Sequence, residues 1–266
     1  MRGPTVGEPV ELVAGTARAV VDPVGSRLAS LTVDGRELLL AAGDDPLLWG
    51  CYPMVPWAGR LGEGRFTFSG ETTQVPVDHP PHAIHGLGKG RRWTHLGDAR
   101  FSLELADLWP LAGRASTRVD LTDSALTLVV EARAGHRPMP VVLGWHPCFR
   151  RRLTSDGDTP VQLLFDPARV WARGADGLPS GERGPVPPGP WDDCFDGVTT
   201  PPVLRWPGGP TLTLTADTDT WVVYDERDDV LCVEPQTGPP DAFNLGAATT
   251  LDPGEATRLA LTLSWG

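Results

Sequence analysis

Apolar and polar positions alternate every second residue along most of this chain. In "RFTFS" the alternation puts Phe66 and Phe68 on one face. "FSLELADLW" sets Phe101, Leu103 and Leu105 against Ser102 and Glu104, and "ALTLVVEAR" sets Leu126, Leu128 and Val130 opposite Thr127 and Val129. "TRLALTLSWG" carries Leu259, Leu261, Leu263 and Trp265 on one side. Successive side chains of a strand point to opposite faces, so each segment reads as a strand with one buried face. Turn signals separate them, among them Asp34-Gly35, Ser69-Gly70 and Pro253-Gly254. No segment carries an apolar i, i+3, i+4, i+7 stripe over three turns. The pattern predicts an all-β protein, a large antiparallel β-sandwich with few short helices. The Pro- and Gly-rich stretch from Arg173 to Gly197 is predicted to be a long loop crossing the sandwich. Strand patterns continue on both sides of it, so residues 1–266 read as a single domain.

The length of 266 residues suits one large sandwich. With 40% hydrophobic and 21% charged residues the chain can bury a sizeable core. A net charge of −11 and the lack of any basic run argue against nucleic acid or an anionic membrane as the partner. Cys51, Cys148, Cys194 and Cys232 are widely spaced, with no C-x-x-C pair of the kind that marks zinc or redox sites. The N-terminal "MRGPTVGEPVELVAG" has no apolar signal-like core and no run is long enough to span a bilayer, so the chain reads as soluble and cytoplasmic.

The candidate chemistry centres on histidines. "HAIHGLGKGRRWTH" holds His82, His85 and His95, with His79 just upstream. The three-residue spacing of His79, His82 and His85 would align them on a helix, but Pro80 and Pro81 make a helix implausible and a strand would split His82 from His85. The spacing therefore gives a metal no support. "HGLGKG" lacks the spacing of a phosphate-binding loop and reads as a glycine-rich turn. Three residues further afield are more suggestive. His146 ends an apolar strand in "VVLGWHPCFR", where a structural histidine bonded to backbone is the ordinary explanation. Glu234 follows Leu231, Cys232 and Val233 in "VLCVEPQTGPPDAFN". A carboxylate in such surroundings is raised toward neutrality, as a general base requires, unless it is an edge glutamate paired with an arginine. Arg60 lies between Trp57 and a strand in "CYPMVPWAGRLGEGRF", a place equally open to a solvated arginine.

Taken in order, "VPWAGRLGEGRFTFSG", "HAIHGLGKGRRW", "GWHPCFR", "LPSGE", "WDDCF" and "CVEPQTGPPDAFN" resemble the aldose 1-epimerases, or galactose mutarotases, and most closely their bacterial aldose 1-epimerase-like branch. The resemblance covers roughly residues 20–265. It implies a galactose mutarotase-like supersandwich that interconverts the α and β anomers of a free aldohexose such as glucose or galactose, with no cofactor and no metal. It implies His146 as general acid and Glu234 as general base. Arg60, His85 and one of Asp192 and Asp193 would bind substrate, Asp192 being preferred because it lies three residues before Phe195. The implied partner is a small-molecule sugar, held by a monomer or homodimer. Trp57 or Trp145 could pack on the sugar face, His79 and His82 would be incidental loop residues, and His95 structural. Two departures bear on the sugar: Gly59 stands where the family has asparagine before the arginine, and Cys148 where it has tyrosine. Three other readings remain open at this stage. One is a non-catalytic carbohydrate-binding protein, another a hexose-6-phosphate 1-epimerase using Lys89, Arg91 and Arg92, and the third a metal-dependent sandwich that rests on His79, His82 and His85 alone.

Overall fold

The computed structural model describes residues 7–106, 109–153 and 159–266. The described residues form two large antiparallel sheets and three two-stranded ones. The larger sheet has eleven strands. Its path runs Val10–Ala14, Ala17–Asp22, Arg27–Val33, Cys51–Met54, Gly144–Arg150, Val230–Gln236, Thr220–Tyr224, Asp192–Asp196, Arg169–Arg173 and Pro179–Gly184, with Arg36–Glu37 paired beside Arg27–Val33. The second sheet has eight strands, centred on Arg114–Leu121, Ala125–Arg133 and Ala256–Trp265. Helix amounts to the single turns Gly62–Gly64 and Ala242–Leu245. None of the described helices is long and apolar enough to cross a membrane.

The alternation read from the sequence is what packs the two sheets together. Ala125–Arg133 buries Leu126, Leu128, Val130 and Ala132, and Ala256–Trp265 buries Leu259, Leu261 and Leu263. Their partners in one shared core are Ala19, Val21, Leu31, Trp145, Phe149, Phe195 and Val233 of the larger sheet. The expected turns Asp34-Gly35 and Ser69-Gly70 both have two successive positive φ values, 49° and 76°, then 51° and 81°. That is the two-residue turn that joins twisted antiparallel strands without splaying them.

The expected loop from Arg173 to Gly197 is corrected by the structure. It begins at the end of Arg169–Arg173, turns at Gly177, and contains all of Pro179–Gly184 and Asp192–Asp196. These strands form the edge of the larger sheet. Pro179 opens an edge strand, where its missing N–H costs no ladder bond, and four of the next residues are exposed. An edge strand of this composition carries no period-two signal.

The larger sheet has a second face, turned away from the sandwich core. In Gly144–Arg150, Trp145 and Phe149 point into the core, so Gly144, His146 and Cys148 point the other way. The same holds for Leu231 and Val233 against Cys232, Glu234 and Gln236. On that face lies a cavity lined by His146 and Glu234.

Candidate active site

Two central strands build the floor of the cavity: Gly144–Arg150, the histidine strand, and Val230–Gln236, the glutamate strand. Gly144 pairs with Gln236 and Cys148 with Cys232, a register that sets His146 opposite Glu234. The N–H of Cys148 donates to the Gly50 carbonyl and its own carbonyl accepts from Leu40 N–H, so both point away from the glutamate strand. Cys148, and His146 two residues before it, therefore occupy positions that are not hydrogen-bonded toward the glutamate strand, where facing side chains come closest. The hydrogen-bonded positions between them, Trp145 facing Pro235 and Pro147 facing Val233, each contain a proline with no N–H to give. Ladder pairing lapses there, between the Gly144 and Cys148 pairs. The floor of the cavity is thus a central sheet position with a weakened ladder and two tightly juxtaposed polar side chains.

His146 and Glu234 are 3% and 2% exposed, and Nε2 of the imidazole lies 3.2 Å from Oε1 of the carboxylate. Burial pushes Glu234 up, and the nearby Cys148 and Asp192 add to this. The imidazolium pulls it down, and the net position is about 7. Burial lowers His146, but Glu234 and the Cys148 thiol together outweigh it and raise it to about 9. His146 Nδ1 lies 3.3 Å from Cys148 Sγ, so both ring nitrogens have partners. Tyr52 stacks on the imidazole at 4.7 Å, and the Arg27 guanidinium lies 4.3 Å from the Tyr52 ring. The two groups are thus immediate neighbours on one sheet face.

His85 approaches the pair edge-on, its ring 4.7 Å from that of His146. It sits at φ 55° before Gly86 at φ 70°. A Cβ on Gly86 would lie 2.1 Å from the Val55 carbonyl oxygen, so only glycine fits. Burial, followed by the positive neighbours His146, Lys89 and Arg60, lowers His85 well below its ordinary value and keeps it neutral. Its Nδ1 is buried without a protein partner. The expected glycine-rich turn is therefore present and holds His85 in the cavity wall.

Arg60 and Asp192 meet directly: Arg60 donates to Asp192 Oδ2 at 2.9 Å, and Arg173 donates to the same oxygen at 3.0 Å. Asp193 also reaches the cavity, 3.5 Å from Arg173, and burial raises its carboxyl. Gly59 has φ 68°, and a Cβ there would stand 2.7 Å from the Pro240 side chain. The backbone of this chain has no room for the asparagine expected before Arg60.

All five residues singled out from the sequence, Arg60, His85, His146, Asp192 and Glu234, line one cavity of about 280 Å³, near the lower end of small-molecule sites at about 300–1,000 Å³. Sequence reasoning missed Trp171, Arg173, Tyr224 and Gln236, which line it too. Gln236 donates to Glu234 Oε2 at 3.3 Å. The Arg183 guanidinium lies 3.7 Å over the Trp171 ring and is bonded to Asp196. Trp57 and Trp145, offered as sugar platforms, are both in the sandwich core. His79 lines the cavity and is not incidental. His82 is a buried strut: its Nδ1 accepts from Glu63 N–H and its Nε2 meets the Asp176 carbonyl, tying two turns together. His95 is structural, stacked on Phe101.

Among the described residues, His79, His82 and His85 form no ligand set; the group that converges is His146, Cys148 and Cys232, with donor atoms within 4.8 Å of one another. Two of these atoms, His146 Nδ1 and Cys148 Sγ, already bond each other. The basic residues considered for a phosphate are elsewhere. Lys89 is held by Asp78 and by the Ile84 carbonyl, Arg92 donates to the Gly7 carbonyl, and neither they nor Arg91 line the cavity. Its charged lining is Asp45, Asp192, Asp193, Glu226 and Glu234 against Arg60, Arg173 and the His146 imidazolium.

The aldose 1-epimerase family model matches residues 9–264. The Escherichia coli (strain K12) protein YihR, itself uncharacterized, is 27% identical over 169 residues, which cover 59% of this chain and about half (55%) of YihR. A galactose mutarotase-like protein from Clostridium acetobutylicum has a similar structure, with a TM-score of 0.82, 16% identity, and coverage of 100% of this chain and 99% of that one. So does the galactose 1-epimerase from Lactobacillus acidophilus NCFM, with a TM-score of 0.80, 16% identity, and coverage of 100% and 96%. At these identities the structures speak for the fold.

Proposed function

Given that this chain belongs to the aldose 1-epimerase family, we propose that it interconverts the α and β anomers of a free, unphosphorylated aldohexose such as glucose or galactose. The observation that carries the reading is the buried contact of His146 with Glu234 on the cavity floor. Anomerisation opens a cyclic hemiacetal: the C1 hydroxyl loses a proton and the ring oxygen gains one. Both oxygens are bonded to the same carbon, so an acid and a base standing side by side match the separation that the chemistry needs.

Glu234, raised to about 7, takes the C1 hydroxyl proton while His146, held protonated by its neighbours, gives its proton to the ring oxygen. The C1–ring oxygen bond breaks, and the aldehyde turns about C1–C2. For closure on the other face His146 takes back the ring oxygen's proton and Glu234 returns its own to the C1 oxygen. Both groups end as they began. Each such transfer is worth about 10²- to 10⁴-fold. Arg60, Arg173 and Asp192 hold hydroxyls through charge-assisted hydrogen bonds. Neutral His85 offers a ring nitrogen beside the reacting centre, and Trp171 supplies an apolar wall.

The acidic lining favours a neutral sugar over a sugar phosphate. The test is polarimetry of freshly dissolved α-D-glucose and α-D-galactose, with wild type and with Glu234→Gln. Faster loss of rotation with wild type alone supports the reading; equal rates for both proteins would sink it.

A further inference from the structure

We infer that Cys148 and Cys232 form a modification site: a thiol pair that closes into a reversible cross-strand disulfide when a hydroperoxide reaches it, and so takes from His146 the partner of its Nδ1. The two cysteines face each other in register on the histidine and glutamate strands. The bonds of Cys148 to Gly50 and Leu40 make this a non-hydrogen-bonded pair. Such pairs have Cα atoms about 4.5 Å apart, inside the 4.4–6.8 Å range that a disulfide spans. The sulfur atoms already lie within 4.8 Å of one another. Side-chain rotation brings them to bonding distance without moving either strand.

The site is also built to react. Burial alone would raise the Cys148 thiol, but the neighbouring Cys232 thiol, the contact with His146 and the charge of Arg27 bring it down to about 6. The thiols of Cys51, Cys194 and Cys232 are pushed up by burial. Cys148 is therefore the more readily ionised thiol of the pair, and Cys232 the second thiol that closes the link. Both are packed under Leu48 and Tyr224, which line the cavity, so a small oxidant entering the cavity is one side chain away.

With hydrogen peroxide the Cys148 thiolate attacks one oxygen. The O–O bond breaks, hydroxide leaves and is protonated to water, and Cys148 becomes a sulfenic acid. The Cys232 sulfur then attacks Cys148 Sγ, the S–O bond breaks, and the departing hydroxide takes the Cys232 proton. In sum two thiols lose two electrons and two protons, and peroxide becomes two waters. The disulfide sulfur left beside His146 carries neither charge nor proton, so the imidazolium loses one of its two stabilising partners.

The experiment uses the full chain, reduced, desalted and exposed to hydrogen peroxide. Free thiols are then alkylated and the protein digested without reductant for mass spectrometry. We expect a Cys148–Cys232 peptide pair two hydrogens lighter than its parts, loss of two of the four thiols, and recovery with dithiothreitol. Cys232→Ser gives no linked pair, and Cys194→Ser still does. The imidazole titration of His146, followed by NMR, moves to lower pH on oxidation, and turnover falls roughly tenfold, less than the about 10²-fold or more that loss of a proton-transfer group costs. Only the turnover arm rests on the mutarotase reading; the cross-link and the titration need no substrate. Four free thiols after peroxide, or a link through Cys51 or Cys194, overturns the pair, and a formed disulfide with an unmoved His146 titration overturns its hold on the histidine.

Discussion

His146 Nε2 and Glu234 Oε1 stand 3.2 Å apart on neighbouring antiparallel strands, both side chains almost wholly out of solvent. A buried pair of this kind survives because each partner compensates the charge of the other, and Gln236 and Cys148 satisfy the remaining atoms. The two residues therefore act as a unit. Glu234→Gln and His146→Gln should each lower kcat by about 10²-fold or more, and the double variant should lose little beyond either single one. Polarimetric rates for the four proteins give the cycle directly; a product of the two separate losses would show that the groups act independently.

The pH dependence follows from the same pair. Glu234 must be deprotonated to accept a proton, so activity rises with pH through about 7. His146 must be protonated to donate one, so activity falls as pH passes about 9. The expected kcat/KM profile is a bell with its plateau between the two, belonging to the coupled pair rather than to either residue. A profile with a single limb, or one centred near pH 5, would assign the chemistry to other groups.

Selectivity should mirror the lining of the cavity. A phosphate ester would approach Asp45, Asp193 and Glu226, while Arg60 and Arg173 are engaged by Asp192. Glucose 6-phosphate should therefore turn over at least about tenfold less efficiently than glucose at low ionic strength, and the gap should narrow as salt screens the charges. Rates on both sugars across a salt series decide it. Preference for the phosphate would mean that an arginine leaves Asp192 to meet it.

Much of this was legible in the chain. Period-two alternation in Ala125–Arg133 and Ala256–Trp265 announced the sandwich, because one buried face per strand leaves that imprint. Arg60, His85, His146 and Glu234 stand in short motifs that combine a polar side chain with a proline or glycine, Asp192 stands in "WDDCF", and the resemblance to a family drew the five candidates together. One further step was available: Trp145 is adjacent to His146 on a strand and must face away from it, which excludes it as a sugar platform. Trp171 and Arg173 carried no local mark, since their place depends on the pairing of Arg169–Arg173 with Asp192–Asp196. The Cys148–Cys232 pair was invisible for a related reason. Spacing rules look for nearby cysteines, and these two meet only through the register of distant strands.

The turn that presents His85 makes the last prediction, on stability. At Gly86 the backbone is left-handed and a Cβ would press on the Val55 backbone, with carbonyl oxygen, carbon and nitrogen all within 2.8 Å. The Val55 carbonyl also accepts from Leu87 N–H at 2.8 Å, so it cannot retreat without losing that bond. Gly86→Ala combines backbone strain of about 1–3 kcal/mol with this collision, and should destabilise the protein by roughly 3 kcal/mol or more. Gly90, four residues on in the same glycine-rich stretch, has open space where its Cβ would stand. Gly90→Ala should therefore change stability by less than about 0.5 kcal/mol. Thermal melts of the two variants beside wild type test the difference. Because the strain at Gly86 sits next to His85, any Gly86→Ala protein that still folds should also turn over sugar more slowly, whereas Gly90→Ala should keep its rate.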